Sequence, residues 1–105
     1  MKKVIPLLLA AILSAHVHGN PIPESDRASI DKALPAKAPV KPARSRKLLI
    51  FDVNVGYPGH PSRFHANYAF QQMGDKTGAF ETVISRDPEI FRPESLKDFD
   101  AVFLN

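Results

Sequence analysis

Asp52, Asn54 and His60 are the side chains of this sequence best placed to do chemistry, with Tyr57 and Ser62 among them and His65 just beyond. A carboxylate and an amide can hold sugar hydroxyls or a cation at a cleft, and an imidazole can move protons near neutral pH. Each also has a plainer role. Asp52 can accept hydrogen bonds from loop amides and shape the turn, and turn formation is the usual work of an asparagine such as Asn54. Asp52, His60 and His65 offer carboxylate and imidazole ligands to a metal. The spacing of the two histidines does not put them on one helical face, however, so no metal site is expected. His60 reads as a polar cleft residue and His65 as a surface or first-turn residue. Ser62 lacks the glycine-flanked elbow of a serine nucleophile and is explained as a helix cap. Tyr57 and Phe64 can stack on a sugar ring or join the core. Asp87, Asp98 and Asp100 read as caps and loop charges, without the paired acids of a glycosidase.

These residues follow a strand. Leu48, Leu49, Ile50 and Phe51 form an uninterrupted apolar run, with Val53 next and a Gly- and Pro-containing turn after it. That is the pattern of a strand buried on both faces, and ligands in open parallel sheets sit where such strands end. A helix is expected from about Arg63 towards Thr77, capped by Ser62 and ended by Gly78, with Ala66, Ala69, Phe70, Met73 and Thr77 as its apolar stripe. Gly74 opposes that helix weakly and offers Met73 as an earlier end. Phe80 to Ser85 reads as a second strand, followed by single helical turns at Pro88–Phe91 and from Pro93 towards Phe99. Ala101 to Leu104 reads as a third strand, with Asn105 at its end beside the same strand ends. Strand, helix, strand, short helix, strand implies a parallel α/β sheet with right-handed crossovers. One full helix cannot cover both faces of three strands, so residues 47–105 are expected to be the N-terminal part of a larger domain, poorly soluble alone.

The chain has 105 residues, a net charge of +3 and no cysteine. Lys2 and Lys3 precede an apolar core from Val4 to Ala15, and small residues at Ala15 and Gly19 offer cleavage points. This is the order of a secretory signal over residues 1–19, and its core is shorter than the roughly 20 apolar residues of a membrane span. An exported protein, periplasmic or extracellular and without a membrane span once processed, is therefore expected. Residues 20–46 carry five prolines, six basic and three acidic side chains, and read as a largely solvated linker, with a short helix possible within Ser25–Leu34. Residues 47–105 hold six basic and eight acidic side chains, so the basic balance lies outside the domain and no nucleic-acid partner is expected. The cofactor stays open, and the absence of cysteine removes thiol nucleophiles and thiolate metal sites from these 105 residues.

Several separate blocks carry a resemblance: Gly56-Tyr57, His60-Pro61-Ser62, Met73 to Glu81, Ser85 to Pro88 and Pro93 to Asn105. Together they resemble the opening of a ThuA-like domain, the trehalose-utilisation family with a flavodoxin-like fold related to class I glutamine amidotransferases. Pro58 and Gly59 stand where that family usually has a single Arg, and Arg63 and Phe64 replace its Ile-Pro. The resemblance implies carbohydrate metabolism and a sugar-like ligand at the strand ends, with Asp52, Asn54, Tyr57, His60 and Asn105 as candidate ligand-binding residues. A non-catalytic recognition module and an amidotransferase-like hydrolase with a more distant nucleophile are the alternatives. Whether the protein is an enzyme stays open at this level.

Overall fold

The computed structural model describes residues 21–105, so the signal segment expected over residues 1–19 lies outside the described residues. Helix α1 spans Glu24–Ala33, strand β1 Lys47–Phe51, helix α2 Ser62–Thr77, strand β2 Glu81–Ser85, a 3₁₀ turn Pro88–Phe91, short helix α3 Pro93–Leu96 and strand β3 Ala101–Leu104. The strands form one parallel sheet in the order β2-β1-β3, with Leu49 opposite Val83 on one side and Val102 on the other. The expected parallel α/β architecture is present, and its strand order matches the start of a flavodoxin-like doubly wound sheet. No helix among the described residues is long and apolar enough to cross a membrane.

The centre of the sheet is where the apolar run placed it. Leu49 and Ile50 are fully buried, and because neighbours along a strand point to opposite faces, both faces of β1 are covered. Burying one such side chain contributes about 1.5–3 kcal/mol. Ile50 pairs in register with Phe103, whose ring meets Phe70 of α2 at 4.7 Å, so α2 covers that face. On the opposite face Phe51 meets Phe91 of the 3₁₀ turn edge-on, with centroids 4.8 Å apart at 78°. Val102 and Leu104 stay 41% and 70% exposed, so cover on this side thins towards β3.

Helix α2 runs to Thr77 as expected and departs from expectation in two ways, at its cap and in its inward face. Ser62 is its first residue and caps nothing; Pro61 holds the cap position with helical backbone angles, so the helical geometry is already set by the proline. The most deeply buried residues are Asn67 and Gly74 rather than the Ala66–Met73 stripe, so the inward face is rotated towards the side carrying Arg63, Asn67, Phe70 and Gly74. Gly74 interrupts nothing: a Cβ there would lie 2.5 Å from the Phe80 carbonyl oxygen, so glycine lets β2's approach cross the helix closely. Gly78 ends the helix in the left-handed conformation as expected, its N–H donating to the Gly74 carbonyl at 2.8 Å.

The segment before β1 is attached to the sheet domain. The helix anticipated within Ser25–Leu34 forms without a side-chain cap, and Asp26 lies 2.9 Å from His65 Nε2. Tyr68 donates its hydroxyl hydrogen to Asp31 at 3.0 Å, and Lys76 donates to the Asp31 carbonyl at 3.0 Å. Ile22 is buried. Further along, Arg44 and Arg46 pair with Asp100 at 2.5 and 3.2 Å, and the same carboxylate accepts from the Lys47 amide at 2.9 Å. Asp100 thus receives the basic residues that the sequence reading left mostly to solvent. It is a clamp between the entry to β1 and the entry to β3.

Candidate functional site at the switch point

Beyond Phe51 the chain turns through Val53 and Asn54 into a loop that closes on the start of α2. Gly56 and Gly59 adopt φ values of 72° and 80°. A Cβ on Gly59 would lie 2.7 Å from Asn54 Nδ2 and 2.9 Å from Arg63 Nη1, so the loop packs tightly around Arg63. The Arg63 guanidinium donates to the Pro58 carbonyl and faces Asp52, with Nε 3.5 Å from Oδ1. The carboxylate and guanidinium are 6% and 19% exposed. At 3.5 Å this contact is an ion pair and not a hydrogen bond, and neither Asp52 Oδ1 nor Arg63 Nε has a hydrogen-bond partner among the described residues. A buried carboxylate needs an opposite charge and donors to stay in place.

Asn67 supplies the donor that Asp52 receives. Its Nδ2 lies 2.9 Å from Asp52 Oδ2. Asn67 Oδ1 in turn accepts from Asn105 Nδ2 at 2.7 Å, and the same Asn105 nitrogen donates to the Arg63 carbonyl at 2.8 Å. The Asn105 main-chain N–H donates to the Phe51 carbonyl at 3.1 Å, while Asp52 N–H donates to Ser85. A polar chain therefore links the ends of β1 and β3 through the first two turns of α2.

In front of it lies a cleft of about 440 Å³ lined by Phe51, Val53, Asn54, Phe91, Leu104 and Asn105. β1 lies between β2 and β3, and the cleft opens at the C-terminal ends of β1 and β3, which in a flavodoxin-like strand order is the topological switch point where open α/β sheets bind ligands. The floor is apolar and aromatic. Among the described residues the cleft's polar lining side chains are the amides of Asn54 and Asn105, and none of the six lining side chains is titratable.

Of the candidates named from sequence, Asn54 and Asn105 line this cleft. Asp52 sits behind it and holds the network. Tyr57 and His60 pair with each other at 5.6 Å in the exposed loop and do not line the cleft. His65 turns to Asp26 on α1, and Asp52 faces Arg63, so Asp52, His60 and His65 are not assembled around a common point. Among the described residues no cluster of three metal-ligating side chains occurs. Asp87 caps the 3₁₀ turn as anticipated, accepting from the Glu89 N–H at 3.0 Å.

Sequence reasoning missed Arg63, Asn67 and Phe91. A polar residue one turn before Phe70 on the inward face of a helix was the available signal for Asn67. Phe91 carried none, because a lone aromatic in a short turn reads as core. Comparison of the chain with models of known protein families, with curated proteins and with solved structures gives no match.

Proposed function

We propose that this chain is an exported ThuA-like protein of carbohydrate metabolism that binds a sugar-like ligand at the β1/β3 switch point. The observation that carries this reading is the cleft itself, where two side-chain amides, Asn54 and Asn105, border an aromatic floor made by Phe51 and Phe91. Sugar rings present an apolar face to aromatic or aliphatic surface and hydroxyls to amides, and concave sites with few convergent polar groups are the usual form of small-molecule sites. The resemblance of the blocks from Gly56 to Asn105 to the trehalose-utilisation family supports the same ligand class. The leader over residues 1–19 supports export.

The lining favours recognition over chemistry at this wall of the site. General acid or base catalysis needs a titratable group within hydrogen-bond reach of the reacting atom. The lining residues supply none, and His60 stands outside the cleft. A non-catalytic recognition module is thus the second reading. Calorimetric titration of the full chain with glucose, trehalose, maltose and sucrose tests the ligand class. Saturable heat from at least one sugar, abolished by Asn54→Ala with Phe91→Ala, is expected. A folded sample that binds none of the four contradicts it.

A further inference from the structure

The polar chain behind the cleft has a direction. Asp52, a carboxylate facing the Arg63 guanidinium, can only accept, so the Asn67 side chain must point its NH₂ towards Asp52. That orientation leaves Asn67 Oδ1 as the acceptor for its other neighbour, and the NH₂ of Asn105 must therefore point inward to it. The second hydrogen of the same NH₂ goes to the Arg63 carbonyl. Both amide hydrogens of Asn105 are thereby committed, and Oδ1 is the side-chain atom it has left for the cleft.

We infer that Asp52 acts as a positioning residue which, through Asn67, fixes Asn105 as a hydrogen-bond acceptor and makes the cleft selective for uncharged ligands that donate a hydroxyl hydrogen there. This deepens the sugar reading and rests on it for the ligand class. It assigns Asp52 a role at one remove from the ligand, with Asn105 making the contact. Anionic ligands are disfavoured for two reasons. Among the described residues no cationic side chain lines the cleft, and the Arg63 guanidinium behind it is committed to Asp52 and the Pro58 carbonyl. An acceptor-only ligand would set its oxygen against Asn105 Oδ1 and leave that acceptor without a donor.

The full chain, labelled with nitrogen-15, separates the relay from the ligand class. Protons of the Asn67 and Asn105 side-chain amides should exchange with solvent at least about ten-fold more slowly than those of exposed Asn54. Trehalose should shift the Asn105 signals, while per-O-methylated trehalose and trehalose 6-phosphate should bind at least about ten-fold more weakly, as expected when a site's polar group is left unpaired. Asp52→Asn lets Asn67 turn either way and should narrow the discrimination between trehalose and its methylated form; Asn67→Leu should release the Asn105 amide to rapid exchange. Rapid exchange of the Asn105 amide in the unaltered chain overturns the proposal, and so does equal or tighter binding of the methylated or phosphorylated sugar. Protected amides that are released by Asn67→Leu, with no response to any sugar, uphold the relay and reject the sugar reading alone. The arms on the unaltered chain do not depend on either variant folding.

Discussion

The side chains of Asn67 and Asn105 meet at 2.7 Å, joining the second turn of α2 to the end of β3 directly behind the cleft. Asn67 is buried and spans two acceptor-donor demands at once, since it also donates to Asp52 at 2.9 Å. Replacing it by leucine keeps the branched shape of the side chain and leaves Asp52 Oδ2 without that donor. A buried polar group stripped of its partner costs about 1–3 kcal/mol. Asn67→Leu should therefore destabilise the chain by that amount in urea unfolding, and a change below about 0.5 kcal/mol, the usual size of an inconsequential surface substitution, would contradict the network.

Gly74 provides a test whose sign opposes helix propensity. In an exposed helix interior, glycine to alanine gains about 1 kcal/mol. Here the added Cβ would stand 2.5 Å from the Phe80 carbonyl oxygen, a backbone atom that cannot swing aside. Overpacking of this kind costs about 1–3 kcal/mol. Gly74→Ala should lower the thermal midpoint, and a raised midpoint would show that α2 and the approach to β2 are not in contact.

Acid should loosen the entry to the sheet. The Lys47 amide, followed by Arg46 and Arg44, holds the Asp100 carboxyl below its usual range despite an opposing desolvation effect. A carboxyl whose folded pKa is depressed contributes stability that is complete above its unfolded value and is lost as pH falls through the folded value. Asp26, lowered chiefly by its hydrogen bond to His65, acts in the same direction. Stability measured from about pH 6 down to about pH 2 should fall, and Asp100→Asn should flatten part of that fall. An unchanged slope in the variant would remove Asp100 as the clamp.

Alkali should act on the other attachment. Burial, followed by the hydrogen bond to Asp31, raises the Tyr68 hydroxyl above its usual value. A phenol with a raised folded pKa contributes stability below its unfolded value that is lost as pH rises through the folded value. The α1 contact should weaken above about pH 10, and Tyr68→Phe should weaken it already at neutral pH. Proteolysis within residues 35–46 followed by gel filtration reads this directly: α1 should separate from the variant more readily than from the unaltered chain. Equal retention would place the attachment elsewhere, on Ile22 and Lys76.

Much of the sheet was legible because its signals are local. The run Leu48 to Phe51 forces a strand buried on both faces, Gly78 marks a helix end through its left-handed backbone, and Asp87 caps a turn two residues on. What was not legible depends on groups far apart in sequence. Asn67 and Gly74 look like poor helix residues until Asp52, Asn105 and the Phe80 carbonyl are brought against them. Likewise Arg44, Arg46 and Asp100 read as solvated charges because their meeting is set by where β3 begins. In the candidate site, strand-end position identified Asn54 and Asn105. It also drew in Tyr57 and His60, which the turn at Gly56 and Gly59 carries into the exposed loop.

The most direct measurement is a map of signal changes in the nitrogen-15 spectrum of the full chain as trehalose is added. Binding at the switch point predicts saturable shifts centred on Phe51, Asn54, Phe91 and Asn105, the residues that line the cleft. No shifts at saturating sugar, or shifts centred instead on the groove of Ile22, Tyr68 and Gln71 between the N-terminal segment and α2, would contradict it.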